Sequence, residues 1–325
     1  MPRPVSAVLA AASLLLLTGC STVAAPAEPA AEGTAAAASV DNCGTEVPLG
    51  TAPERIVTIK STSTELLLAL GLGDRVVGRA FPDGPVPEEW ADEAESIPVI
   101  SDFVPSQEAV LELEPDFVFG GWESNFSADG AGERDELAAL GIRTYVSPAA
   151  CQEEGYQPDP LTFDVLFDEL LEAGRVFGAE DAAERLVDEQ RAELEAIEPD
   201  DRGLTAVWWS SGEDTPYVGA GIGAPQMILD AAGLTNIAED IPETWSSLSL
   251  EAIVEADPDV LVLVDAEWNT AESKIAALQA DPATAALQAV QQRRYVIVPF
   301  AAGEGGVRNV EAAASIVEQL EALPE

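Results

Sequence analysis

The chain has 325 residues, of which 15 are basic and 59 acidic, and its formal net charge is −44. This charge excludes nucleic acid and anionic membrane surfaces as partners, because both require a basic face on the protein. The sequence contains no histidine, which excludes His-ligated zinc and catalysis by Ser-His-Asp or Cys-His groups.

The first 40 residues carry export signals and a linker, not part of the fold. Arg3 precedes an apolar run over 5–17 that is too short for a membrane span. Leu17-Thr18-Gly19-Cys20 then resembles the bacterial lipobox, which implies a signal peptide over 1–19 and a lipid on Cys20. An ordinary secretory signal with an incidental cysteine is the alternative. Residues 20–40, rich in Ala and Pro, are predicted to be a disordered tether.

Two further cysteines, Cys43 and Cys151, remain in the exported part of the chain. An even pair in an oxidising compartment indicates a disulfide bond. Two unpaired, buried thiols are the alternative.

Residues 41–160 alternate strand and helix patterns and are predicted to form an N-terminal α/β lobe. Residues 81–105, with five prolines, are predicted to be rich in loops. The predicted strands lie at 45–49, 56–59, 117–119 and 143–146, and a further strand begins at residue 76. The predicted helices lie at 65–70 and 134–140.

Residues 161–199 are predicted to be the connecting segment, helical from Thr162 to Ile197, with Pro160 before the helical stretch and Pro199 after it. Gly178 divides the segment into two helical runs, because glycine is a common C-terminal stop. The second run spans roughly 25 Å at 1.5 Å per residue, which is enough to connect two lobes.

The strand and helix alternation resumes over 200–325, which is predicted to be a C-terminal α/β lobe. The predicted strands lie at 205–209, 260–264 and 295–298, with an extended segment at 217–223, and the predicted helices at 225–232, 284–290 and 309–320.

An internal repeat relates the two lobes. Residues 106–119 and 249–262 align without a gap, 143 positions apart, and share Ser, Glu, Ala, Glu, Pro and Asp. Each copy reads as a short helix, a Pro-Asp turn and a buried strand. The chain is therefore predicted to fold as two related lobes.

These motifs resemble the class III, or cluster A, periplasmic binding proteins, which carry iron-siderophores, haem and cobalamin. The resemblance covers residues 41 to 322 and includes Pro53-Glu54-Arg55-Ile56-Val57, Leu70-Gly71-Leu72, Ala232-Gly233-Leu234-Thr235-Asn236 and both repeat units. It implies two Rossmann-like lobes with mainly parallel sheets, joined by a single long helix, and a ligand held between them. It further implies a monomer without cofactor or resident metal, lipid-anchored at the outer face of the bacterial cell membrane, that delivers its ligand to an ABC permease dimer.

The resemblance assigns permease docking to Glu108 and Glu251, one in each repeat unit. Without it, both would be ordinary acids near helix N-termini, where the helix dipole stabilises negative charge.

Within this family, the sequence is most similar to the actinobacterial lipoproteins labelled as coenzyme F-420-0 transporter binding proteins. Val57-Thr58-Ile59-Lys60-Ser61, Gly120-Gly121-Trp122-Glu123-Ser124-Asn125, Trp208-Trp209-Ser210-Ser211-Gly212 and Val307-Arg308-Asn309-Val310-Glu311 carry this similarity. It implies a deazaflavin ligand with an anionic phospholactate, with iron-siderophores and corrinoids as alternatives.

The chemistry of a flat anion suggests which side chains contact it. Aromatic faces suit the ring, and cations near helix N-termini suit the phosphodiester. One of the adjacent Trp208 and Trp209 is expected in the core, because a strand alternates faces. The predicted ligand contacts are Lys60, Ser61, Trp122, Glu123, Trp209, Trp245, Trp268 and Arg308, with Lys60 and Arg308 facing each other across the cleft.

Two enzyme interpretations remain open from the sequence. Gly219-Ala220-Gly221-Ile222-Gly223-Ala224 fits a loose dinucleotide fingerprint, which is weak evidence alone. Glu123 and Glu267 could serve as the two carboxylates of a glycosidase. A binding protein without enzymatic activity is the preferred interpretation.

Overall fold

A computed structural model describes residues 38–153, 155–212 and 215–323. The predicted signal peptide, the lipidation site Cys20 and the tether up to residue 37 lie outside these ranges. Within them, no helix combines the length and apolar character that crossing a membrane requires.

The N-terminal lobe is built on a five-stranded sheet whose neighbouring strands are all parallel, in the order β5-β4-β3-β6-β7. A separate antiparallel hairpin, β1 (Ser39–Asn42) and β2 (Thr45–Pro48), precedes it. The sheet strands are β3 (Ile56–Ile59), β4 (Val76–Ala80), β5 (Val99–Ser101), β6 (Phe117–Gly120) and β7 (Arg143–Val146). The helices are α1 (Ser61–Ala69), α2 (Glu88–Glu95), α3 (Gln107–Leu111) and α4 (Arg134–Ala139).

The segment predicted to be rich in loops also contains two regular elements that the sequence analysis did not identify. Residues 81–105 contain α2 and β5. The sequence pattern of these two elements is weak, because Ala94 is the only buried residue of α2 and because β5 has just three residues.

The connecting segment forms a hairpin of two helices, α5 (Phe163–Phe177) and α6 (Glu180–Ala196), divided at Gly178 as predicted. Gly178 ends α5 in the left-handed conformation, with φ +68°, where glycine carries no Cβ penalty. Asp164 near the start of α5 pairs with Arg191 near the end of α6 at 2.7 Å, so the helices run antiparallel. The helix that leads into the second lobe is therefore α6.

The C-terminal lobe has a mainly parallel sheet in the order β11-β9-β8-β12-β13, with β10 beside β8. Strands β9 and β11 run antiparallel to their neighbours. The elements are β8 (Thr205–Ser211), β9 (Tyr217–Gly219), α7 (Ala224–Ala232), β10 (Thr235–Asn236), β11 (Trp245–Ser247), α8 (Leu250–Ala256), β12 (Val260–Asp265), α9 (Ala271–Ala280), α10 (Gln288–Gln292), β13 (Tyr295–Pro299) and α11 (Asn309–Glu321). The prediction of an α/β fold with two lobes of mainly parallel sheets is confirmed.

The aspartate of the repeated Pro-Asp turn makes equivalent hydrogen bonds in the two lobes. Asp116 accepts hydrogen bonds from the backbone N–H of Glu54 and Arg55, at 3.0 and 2.9 Å, immediately before β3. Asp259 accepts from the N–H and hydroxyl of Thr205, both at 2.9 Å, at the start of β8. Each carboxylate thus fixes the start of a central strand to the turn before its parallel neighbour, β6 or β12.

The central strands of each sheet are covered on both faces, so β3 and β6 are buried along their whole length and β8 and β12 along most of theirs. In β8, Trp208 packs into the apolar cluster on one face and Trp209 into the cluster on the other. Both side chains are at most 3% exposed. The expectation that one of them reaches the ligand is corrected here, because strand alternation leads to a helix-covered face on either side.

A disulfide bond joins Cys43, in the turn of the β1–β2 hairpin, to Cys151 after β7. It closes a sequence separation of 108 residues. The hairpin is therefore held covalently against the far end of its own lobe.

Candidate functional site

A cavity of about 500 Å³ lies between the lobes, where loops leave the carboxyl ends of the strands. Trp122 and Ser147 follow β6 and β7, while Trp268 and Phe300 follow β12 and β13. This is where open α/β sheets place ligands. Its wall includes the aromatic residues Trp122, Tyr217, Trp245, Trp268 and Phe300, the carboxylates Glu123 and Glu304, and the hydroxyls of Ser124, Ser147, Ser210, Ser211 and Thr244.

Aromatic rings from both lobes contribute to the cavity wall. Tyr217 and Trp245 stack nearly parallel, with centroids 5.9 Å apart and planes 13° apart, because β9 and β11 pair side by side. Phe300 contacts Trp268 at 5.6 Å and Trp122 at 6.3 Å between ring centroids. Trp268 is 51% exposed and offers a free face at the cavity.

The charged groups of the wall are acidic. Glu304 accepts a 2.8 Å hydrogen bond from Trp122 Nε1 across the lobes, and Glu123 accepts one of 2.6 Å from the Gln152 N–H. Burial raises the pKa of Glu304, although the nearby Lys60 ammonium and the Trp122 bond act to lower it. None of the described residues that line the cavity is basic.

The expected cation Lys60 lies behind the wall. Its side chain is 0% exposed and pairs with Asp83, and its Nζ lies 3.7 Å from the Trp122 ring centroid and 4.0 Å from that of Phe81. Phe300 of the other lobe adds a third ring at 4.6 Å. Burial lowers the pKa of Lys60 even though Asp83 and Glu304 act to raise it. Lys60 also has φ +84°, a conformation that non-glycine residues rarely adopt.

The structure also differs from the expected anion seat at Ser61 and Arg308. Ser61 exchanges hydrogen bonds with Asp83: its N–H donates to the carboxylate and its Oγ accepts from the Asp83 N–H at 2.9 Å. Arg308 Nε donates to Glu65 Oε2 at 2.7 Å and its guanidinium also reaches the Pro85 carbonyl at 2.9 Å. Lys60 and Arg308 therefore form ion pairs with buried carboxylates of the N-terminal lobe. Burying a cation without a counter-charge would have a large free-energy cost.

Of the eight predicted ligand contacts, Trp122, Glu123, Trp245 and Trp268 line the cavity, whereas Lys60, Ser61, Trp209 and Arg308 do not. Sequence reasoning missed Tyr217, Phe300 and Glu304. Phe300 and Glu304 follow a predicted strand closely, so the rule that ligands bind at strand ends could have found them.

The two enzyme interpretations gain no support from the geometry. The glycine-rich segment follows β9, an antiparallel strand, whereas a dinucleotide fingerprint needs a parallel strand leading into a helix. Glu267 is exposed and is not part of the cavity wall, so it does not face Glu123 there.

Glu108 and Glu251 lie away from the cavity wall, at equivalent positions of the two lobes. Both are exposed in the first turn of a helix, α3 or α8. The preceding Ser106 and Ser249 cap these helices by accepting from the N–H of Ala109 at 3.3 Å and of Ala252 at 3.2 Å.

Comparisons with known proteins agree with this architecture. A family model described as "Periplasmic binding protein" matches residues 56–302. An uncharacterized ABC transporter substrate-binding lipoprotein of Bacillus subtilis, YvrC, is 26% identical over 288 residues, covering 86% of this chain and 84% of that protein. A cobalamin-binding protein of Halobacterium salinarum is 29% identical over 232 residues, 68% of this chain but only 57% of that protein. The structure of an ABC-type Fe³⁺-hydroxamate transport system from Saccharomonospora viridis superposes with a TM-score of 0.75 at 26% identity, covering 87% of this chain and 98% of that one.

Proposed function

This chain belongs to the periplasmic binding protein family, and we propose that its ligand is a bulky metal chelate without net negative charge. The chain is an extracytoplasmic solute-binding protein that hands a small ligand to an ABC importer, and it is not an enzyme. The finer question is which ligand the cavity accepts.

The composition of the cavity wall carries this proposal. The wall combines five aromatic rings with Glu123 and Glu304, and its described residues include no basic side chain. An anion entering such a site would lose its hydration without gaining a cation. This desolvation cost applies to the two propionates of haem and to the phospholactate of the deazaflavin.

Two kinds of chelate satisfy the charge requirement. The hydroxamates of a ferric trihydroxamate balance the charge of Fe³⁺, and a corrinoid presents amide groups around an apolar ring. Hydroxyls and carboxylates of the wall can accept hydrogen bonds from amide N–H groups. The similarity to the Saccharomonospora viridis protein supports the first kind and that to the Halobacterium salinarum protein supports the second.

Titration of the purified protein, followed by quenching of tryptophan fluorescence, tests the proposal. The ligands are a ferric trihydroxamate, cyanocobalamin, haemin and the deazaflavin phospholactate. We expect one of the first two to bind at least tenfold more tightly than either anion, a difference of about 1.4 kcal/mol. Tighter binding of the phospholactate would overturn the proposal and restore the deazaflavin as the ligand.

We further propose that Glu108 and Glu251 dock onto the permease. Replacing both with alanine is expected to abolish uptake, because each lobe then lacks the exposed charge that pairs with one half of a two-fold permease. Uptake of radiolabelled ligand by cells and binding by the purified variant are the two measurements. Affinity should stay within about twofold of wild type, since neither residue lines the cavity; a collapse of affinity would contradict the docking role.

We propose that a lipid on Cys20 holds the protein, as a monomer, at the outer face of the cell membrane. Cys20→Ala should then release the protein into the medium. Retention of that variant on washed cells would count against the anchor.

A further inference from the structure

The ammonium group of Lys60 is itself held at the lobe interface, behind the cavity wall. Its Nζ lies over the rings of Phe81, Trp122 and Phe300 and beside two carboxylates, Asp83 and Glu304. Aromatic faces together with carboxylates form the environment that stabilises a desolvated cation. Asp83 and Glu304 both act to raise the pKa of Lys60, so at the lobe interface these carboxylates offset part of the cost of burying a primary ammonium.

The cavity presents the same combination on its open side. Trp245 and Tyr217 are stacked at one part of the wall, and Trp268 is half exposed at another. Glu304 uses only Oε2 for Trp122, and Glu123 only Oε2 for Gln152. In the described part of the chain, no donor bonds to the Oε1 atom of either carboxylate, so both oxygens are available to a ligand.

The charges around the cavity do not balance within the protein. The Lys60 ammonium lies beside the carboxylates of Asp83 and Glu304. Glu123, on the cavity wall, acts on Arg134, so two cations stand against three carboxylates. Burial raises the pKa of Tyr217, and the negative charge of Glu304 and Glu243 raises it further. The field inside the cavity is therefore negative.

We propose that the ligand carries a free ammonium group, which binds to Glu304 or Glu123 and against the aromatic faces of Trp245 and Trp268. This inference rests on the proposed function and narrows the ligand to a cationic chelate, of which a linear ferric trihydroxamate with a terminal primary amine is the simplest example. The ammonium supplies the positive charge that the cavity lacks and donates to the free carboxylate oxygens.

A matched pair of ligands tests this inference. One is the ferric complex of a linear trihydroxamate with a terminal primary amine, and the other is the same complex with that amine acetylated. The two differ in one charge and keep the same chelate. By calorimetry at neutral pH, the amine form should bind the wild-type protein about tenfold or more tightly than the acetylated form.

Variants identify the responsible carboxylate. Glu304→Gln or Glu123→Gln should reduce the ratio of the two affinities towards one, chiefly by weakening the amine form. Glu189→Gln, an exposed position on α6, should leave the ratio unchanged. Thermal unfolding of each variant checks that it is folded, and the Glu123 variant keeps the test valid should Glu304→Gln fail to fold.

The outcomes separate the inference from the proposed function. Equal and tight binding of both ferric complexes, or tight binding of cyanocobalamin alone, would contradict the proposed ammonium site. The proposal that the ligand is a metal chelate would be unaffected. Failure of both ferric complexes and of cyanocobalamin would overturn the proposed function itself.

Discussion

Replacing Arg308 with methionine is expected to lower the free energy of unfolding by about 3–5 kcal/mol, because it leaves a buried carboxylate without its partner. Glu65 on α1 is 0% exposed, and Arg308 from the C-terminal lobe is the cation that bonds to it. Burial raises the pKa of Glu65 even though the hydrogen bond and charge of Arg308 act to lower it. Urea unfolding followed by circular dichroism measures the loss.

The pH dependence of this loss has a definite sign. Without Arg308, the pKa of Glu65 rises further above its unfolded value of 4.5, so the folded variant binds a proton that the unfolded chain releases. The variant should therefore lose stability as pH rises, and its deficit should be larger at pH 8 than at pH 5.

A double replacement provides the control. Glu65→Leu together with Arg308→Met removes both charges, and burying two apolar groups in place of an ion pair is often neutral. Most of the lost stability should return. If the double variant were as unstable as Arg308→Met alone, packing rather than an unpaired charge would be the cause.

Replacing Glu169 with glutamine is expected to stabilise the protein at pH 8 and to change little at pH 4. Burial raises the pKa of Glu169 from 4.5 to about 8, and the charge of Glu172 adds to this, while the Ala149 N–H acts to lower it. Glu172 itself accepts a 2.9 Å hydrogen bond from the hydroxyl of Tyr145. Glu169 thus lies beneath the loop that carries Ala149 into the cavity wall.

The direction follows from proton linkage. The folded state holds the Glu169 proton more tightly than the unfolded state, so this contribution to stability is complete below pH 4.5 and is lost as pH rises through about 8. Because the side chain is partly solvated, the gain from Glu169→Gln at pH 8 should be roughly 2–4 kcal/mol, less than the full shift would give. Urea unfolding between pH 4 and 8 measures it, with Glu189→Gln as the surface control. A gain that does not grow with pH would contradict the buried acid.

Much of the fold could be predicted because its signals are local. The paired Ser-x-Glu and Pro-Asp units fixed the relation between the lobes, and the apolar strand at 260–264 reads directly as buried. The short β5 and the helix α9 escaped prediction, since neither shows a strong periodic apolar pattern. Local patterns report what a segment buries and not what it packs against.

The site was predictable only in part, because burial of a charge is a tertiary property. The aromatic residues at strand ends indicated Trp122, Trp245 and Trp268. Nothing in the sequence near Lys60 shows that Asp83, 23 positions later, supplies its counter-charge. The same holds for Arg308 and Glu65, which are separated by 243 positions.

The covalent bond between Cys43 and Cys151 determines how the molecule bears a mechanical load applied at its N-terminal end. Tension at residue 39 would pull on β1 and could open its pairing with β2 only as far as Asn42. At Cys43 the force passes through the disulfide to the segment after β7, so it bypasses the sheet of the N-terminal lobe. Residues 44–150, which include Trp122 and Glu123, lie within the loop that the disulfide closes, so tension at the N-terminal end does not extend them.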